Sequence, residues 1–160
     1  MIIELEGIDG AGKTTQVRLL KQSLEENGHK VLIVKDLFSF VVENAIKDGS
    51  YVLCDRGFGS LISYFEAHGF KREKLEAMLE IAVPELRPSY TILLDLPVKE
   101  ALRRNMAKQS FSKFDNMGAR FFERQKTAYL SLSKRPDWHV VDATRSIEEL
   151  HRDVLDVLGQ

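Results

Sequence analysis

A doubly wound α/β fold, a five-stranded parallel sheet with helices on both faces, is predicted by three features of the sequence. Five short apolar runs are spread along the chain: "MIIEL" at 1–5, "KVLIV" at 30–34, "YVLCD" at 51–55, "YTILLDL" at 90–96 and "WHVVDA" at 138–143. They are continuous instead of alternating, as strands buried on both faces are. Helical patterns separate most of them, and the first empties into a glycine-rich loop that leads into an apparent helix.

The elements follow in order. The first helix is expected over about residues 13–26, with Val17, Leu20 and Leu24 on one stripe and Asn27-Gly28 as its stop. After the second run, "FVVENAI" at 40–46 reads as a short core helix, with Phe38 and Phe40 available for packing or for stacking on a base. A later helix is expected to turn Leu75, Met78, Leu79 and Ala82 inward, and another to place Phe121, Ala128 and Leu132 on one side. The last starts at Ser146, whose spacing to Glu149 makes a capping box, and runs through Leu150, Val154 and Val157.

No repeat, low-complexity tract or linker interrupts this order, and 160 residues with 44% apolar content suit one domain, 1–160, around one core. The 23 Lys and Arg nearly balance the 24 Asp and Glu, a net charge of -1, so no global basic field points to nucleic acid or an anionic membrane. Any anion site must therefore be local. The lone cysteine, Cys54, has no internal disulfide partner and reads as a buried thiol. Without a signal-like segment or a run of membrane-spanning length, the expected location is the cytoplasm.

The local site is "GIDGAGKTTQ", 7–16. Gly7, Gly12, Lys13 and Thr14 stand at the spacing of a phosphate-binding loop. Glycines let consecutive backbone N–H groups wrap an anion while the next helix aims its unpaired N–H groups and positive dipole end at the same point. The stretch Gly7, Ile8, Asp9, Gly10, Ala11, Gly12, Lys13, Thr14 and Thr15 is thus the candidate site for nucleotide phosphate, with Lys13 on the outer phosphates and the Thr14 hydroxyl on Mg²⁺. Kinase, switch and motor remain open at this point.

In doubly wound sheets ligands sit beyond the carboxyl ends of the strands. Those ends are Glu6-Gly7, Lys35-Asp36, Asp55-Arg56, Asp95 and Asp142. Asp95 and Asp142 read most simply as caps of the helices that follow. Asp55 and Arg56 form a second candidate cluster, the acid assisting the metal through water and the guanidinium gripping an acceptor phosphate, although a structural ion pair would look the same.

Taken together, these segments resemble the thymidylate (dTMP) kinase family. "ELEGIDGAGKTTQ" looks like that family's loop, including Asp9, and "DRGFGSLISY" like its Asp-Arg segment, with serine five and tyrosine nine residues after the aspartate. "RPSYTILLDLP", "KFDNMGARFFERQKTAYLSL" and "VVDATRSIEEL" are similar to its later segments, and only residues 35–50 fall outside the likeness. There the family has several tens of residues, with a Glu-Pro-Gly-Gly element and a further Asp-Arg; here "KDLFSFVVENAIKDGS" stands alone.

The resemblance implies a P-loop kinase fold and transfer of the ATP γ-phosphoryl to dTMP, with Asp9 on the acceptor's 3′-hydroxyl and Tyr64 against the deoxyribose. Asp55, Arg56 and Ser60 complete the implied acceptor site. The loop has no arginine for the transition state, so the charge is expected from a lid near 103–115, from Arg103, Arg104, Lys108 and Lys113, with Arg104 first. The shortened segment implies loose base selectivity and leaves surface that helices would cover, so that either a partner subunit, as in a homodimer, covers the gap or the acceptor pocket is unusually open. Alternatives are a kinase for another deoxynucleotide or a nucleoside, and a scaffold that binds nucleotide without transfer.

Overall fold

The computed structural model describes residues 1–35, 39–83, 87–107 and 118–159, with 39–41 given by backbone alone. Lys108, Lys113 and Phe38, the Phe40 side chain and most of the expected lid lie outside the described residues. All five apolar runs are strands: β1 (Ile2–Glu6), β2 (Val31–Lys35), β3 (Tyr51–Asp55), β4 (Tyr90–Asp95) and β5 (Trp138–Asp142). They form one sheet in the order β2-β3-β1-β4-β5, every pairing parallel. The helices are α1 (Lys13–Glu26), α2 (Ser39–Lys47), α3 (Phe58–Ala67), α4 (Arg72–Ala82), α5 (Val98–Ala107), α6 (Gly118–Leu132) and α7 (Ile147–Leu158).

The pleat of β1 sorts the two faces. Ile3 and Leu5 join Val17, Leu20 and Leu24 of α1 and Leu150 and Val154 of α7 in the main core. Side chains alternate along a strand, so Glu4 and Glu6 point to the other face, where they meet the start of α3. The chain therefore leaves the neighbouring strands β1 and β3 toward opposite faces, which opens a crevice at their carboxyl ends.

The expected stripes on α1 and α6 are buried as read, and Ser146 and Glu149 make the reciprocal capping box at the start of α7. One stripe is corrected. On α4, Leu75 is buried and Leu79 packs beside it, but Met78 is 66% exposed and Ala82 is also exposed. Among the described residues α4 rests mainly on α3, and one supporting helix covers a narrower face than the apolar pattern suggests. The caps expected of Asp95 and Asp142 are also revised: Asp95 pairs with Lys126 of α6 at 2.6 Å, and Asp142 accepts from the Thr144 N–H at 2.9 Å in the turn before α7. Cys54 is a buried free thiol, its pKa pushed up by burial.

Candidate active site

The loop after β1 runs close under two neighbours, which explains Gly7 and Gly10. Gly7 has φ 138° and Gly10 has φ 91°; a Cβ would lie 2.7 Å from the Leu94 carbonyl oxygen at the first and 2.9 Å from that of Ala101 at the second. No side chain caps the start of α1 at Gly12, so the helix end stays available to an anion. Here a cavity of about 250 Å³ is lined by Gly10, Gly12, Lys13, Thr14, Thr15 and, from the edge strand, Lys35.

Lys13 is 6% exposed, and its Nζ donates to the carbonyl oxygens of Gly7 (2.8 Å) and Ile8 (3.0 Å). Burial, with Arg56 second, lowers its pKa to about 7 against the opposing pull of Asp9, Asp55 and Glu6. The ammonium is thus placed where only a further negative charge would fully restore it. The Thr14 hydroxyl donates to Asp55 Oδ2 at 2.5 Å, bringing one oxygen from α1 and one from the end of β3 together. Two adjacent hard oxygen donors suit Mg²⁺, which keeps most of its shell for water and phosphate. Among the described residues no larger cluster of metal-binding side chains occurs.

Arg56 has φ 81°, the one positive φ outside glycine among the described residues, and its guanidinium bonds the Asp9 carboxylate. A left-handed arginine carries strain of about 1–3 kcal/mol and persists where its surroundings over-determine it. Those surroundings include Glu6, fully buried at the end of β1. Glu6 accepts from the N–H groups of Gly57 and Ser60, both at 2.9 Å, from the Ser60 hydroxyl, and from the Tyr129 hydroxyl at 3.0 Å. Beside it Glu4 accepts from the Phe58 N–H at 3.3 Å, and burial, followed by the charge of Glu6, raises its pKa well above the usual carboxylate range. Two acids of β1 therefore cap α3 and fix the turn that carries Arg56.

Next to the phosphate loop lies a larger cavity of about 380 Å³. Asp9 and Arg56 line both spaces. The rest of its wall is largely apolar, from Leu61 and Tyr64 of α3, Leu79 of α4 and Phe121 of α6, with Gln125 as its one carboxamide. Tyr64 stacks edge-on with Phe121, ring centroids 5.5 Å apart, and so is held within the wall. Ser60 lines the same cavity, with its hydroxyl turned to Glu6 and Tyr129.

Arg104 lies on the last turn of α5, where Nε bonds Glu100 at 2.8 Å and Nη1 approaches the Gly10 carbonyl oxygen at 3.5 Å. Arg103 bonds the same carboxylate and is 70% exposed. The structure thus gathers Lys13, Thr14, Asp55, Asp9 and Arg56 at one crevice, with Ser60 and Tyr64 on the adjoining wall and Arg104 above the loop. The sequence did not point to Glu4, Tyr129 or Gln125, and marked Glu6 only as a strand end, without its partners on α3 and α6. Two acids in an otherwise apolar strand, "IIELE", are the signal in the sequence, because a buried carboxylate requires partners.

A parallel sheet in this strand order, a glycine loop after β1 and an Asp-Arg dipeptide at the end of β3 define a P-loop phosphotransferase. The family model for thymidylate kinase matches residues 5–37 and 33–154. The chain belongs to the thymidylate kinase family. It is 32% identical to the probable thymidylate kinase of Pyrococcus abyssi, over 96% of this chain and 93% of the relative. It is 30% identical to the probable thymidylate kinase of Thermococcus onnurineus (97% and 95%) and 29% identical to the thymidylate kinase of Fervidobacterium nodosum (99% and 98%). The first of these alignments runs over 194 positions while this chain has 160 residues, so at least 34 positions of the relative have no counterpart here. The two stretches matched by the family model meet at residues 33–37, which puts the gap at the end of β2.

Proposed function

We propose that this protein transfers the γ-phosphoryl group of ATP to dTMP, giving dTDP and ADP. The observation that carries the proposal is the shared wall. A polar cavity at a phosphate loop and a largely apolar cavity of nucleoside size open onto the same two residues, Asp9 and Arg56. Phosphoryl transfer requires such a junction, since donor and acceptor oxygens must line up across the moving group.

In this reading Lys13 and the loop N–H groups hold the donor phosphates. Arg56 turns from Asp9 to the acceptor phosphate, which frees Asp9 for the sugar's 3′-hydroxyl, and Tyr64 closes the space beside the deoxyribose. Thr14 and Asp55 would hold Mg²⁺, which supplies neutralising charge on the phosphate oxygens. Arg104, the arginine nearest the loop on α5, supplies positive charge from the lid side. A cytoplasmic location and a homodimer belong to the same proposal; among the described residues no helix is long and apolar enough to cross a membrane, and Met78 and Ile81 leave apolar surface on α4 for a second copy.

The test is ADP formation from Mg-ATP with each member of a panel of ribo- and deoxyribonucleoside monophosphates and with thymidine. Turnover that depends on acceptor and is fastest with dTMP is expected. Turnover regardless of acceptor would make the protein a hydrolase or switch. The gap after β2 favours one second reading, a kinase for another deoxynucleotide, and a different monophosphate winning the panel would establish it.

A further inference from the structure

The polar side chains lining the larger cavity are not equally available. Asp9 and Arg56 bond each other, and the Ser60 hydroxyl is occupied by Glu6 and Tyr129. Gln125 is different. It sits on a face of α6 otherwise made of Phe121, Phe122, Ala128, Tyr129 and Leu132, and it is 5% exposed. Its hydrogen bond among the described residues runs from Nε2 to Ser63 Oγ at 3.5 Å, the outer limit for such a bond.

That weak bond nevertheless orients the group. The Ser63 hydroxyl donates to the Ser60 carbonyl oxygen at 3.2 Å, so its oxygen meets Gln125 as an acceptor. Nε2 must then face Ser63, and Oε1 is the end of the carboxamide left to accept from an occupant, with the second Nε2 hydrogen beside it. A carboxamide buried at an apolar wall with unspent capacity is costly in an empty site and selective in a filled one.

We propose that Gln125 is the base-selecting residue of the acceptor site, its Oε1 accepting from the N3–H of a pyrimidine imide and its remaining N–H donating to the adjacent ring carbonyl. Thymine and uracil present that donor and acceptor side by side. Cytosine presents a lone pair at N3, which would oppose the lone pairs of Oε1. The inference rests on the kinase reading above and adds to it the atom that distinguishes dTMP from dCMP.

The experiment measures kcat/KM with Mg-ATP for dTMP, N3-methyl-dTMP and dCMP, in the wild-type protein and in Gln125→Leu, with Gln125→Met as a second apolar variant should the first not fold. Wild type is expected to lose roughly 100-fold or more on N3-methylation and on dCMP, as sites that hydrogen-bond a substrate group do when it is missing. The variants should treat the three acceptors within about tenfold of one another, chiefly through a raised KM for dTMP, while Mg-ATP affinity stays unchanged. A variant that keeps the wild-type preference for dTMP over dCMP, or a wild type indifferent to N3-methylation, would overturn the assignment of Gln125 while leaving the kinase intact. A wild type that uses no deoxypyrimidine monophosphate would instead overturn the kinase reading, and this inference with it.

Discussion

Lys13 shows how much of a site can reside in one side chain. Burial brings its pKa to about 7, so in the free protein at about pH 8 most molecules carry it neutral. Nucleotide phosphates favour the charged form and must raise that pKa, so binding takes up a proton. The sign follows: below about pH 7 the ammonium is already charged and binding needs no uptake, whereas above it apparent affinity for ATP falls as pH rises. Calorimetry at about pH 8 in buffers of different ionisation enthalpy should detect the uptake, since a terminal phosphate ionising near about pH 6 is by then fully charged. Lys13→Ala should abolish it and cost about 2–4 kcal/mol of transition-state stabilisation. Equal proton uptake in the variant would assign the titration elsewhere. The place of Lys13 at the loop was legible from its position after Gly12, but its pKa was not, because burial and the approach of Arg56 come from residues far apart in the chain.

At the scale of elements, two contacts between neighbours set the site. One joins the end of β1 to the start of α3 through Glu6, which holds the turn carrying Arg56. Glu6→Gln keeps the size of the side chain but replaces one acceptor oxygen by a donor, leaving a buried donor without a partner at a cost of about 1–3 kcal/mol. If Glu6 positions Arg56, KM for the acceptor should rise while ATP affinity holds; a lower melting temperature with unchanged kinetics would make the contact purely structural. The other contact joins α5 to the loop through Arg104. Arg104→Ala should reduce kcat by roughly 10- to 100-fold with little change in nucleotide binding, since a charge contact made chiefly in the transition state appears in kcat. An unchanged kcat would return Arg104 to the solvated face it shares with Arg103. Strand ends could be read from the sequence because each apolar run stops at a charged residue. The reach of α4's apolar stripe could not, since periodicity reports which face is apolar and not how many neighbours cover it, and Met78 is exposed for that reason.

At the scale of the molecule, the five runs located all five strands, but only β1, β3 and β4 are buried on both faces as expected. The edge strands β2 and β5 are partly covered, with Val140 of β5 50% exposed, because an edge strand has fewer helices packed against it. The site then falls outside the core, beyond the strands' carboxyl ends, and its two cavities meet at Asp9 and Arg56 without merging. Folding and binding should accordingly be separable by melting temperature. A ligand that binds only the folded chain stabilises it by about 2.7 kcal/mol at one hundred times its dissociation constant, so Mg-ATP and dTMP should each raise the midpoint on their own. Lys13→Ala should remove the shift with Mg-ATP and keep that with dTMP, and Arg56→Ala should do the reverse. Because Arg56 also bonds Asp9 across the shared wall, its loss leaves Asp9 less compensated, so a small reduction of the Mg-ATP shift is expected as well. Loss of both shifts in either variant, with the free protein still folded, would mean that the two cavities act as one site and that donor and acceptor are not held apart as proposed.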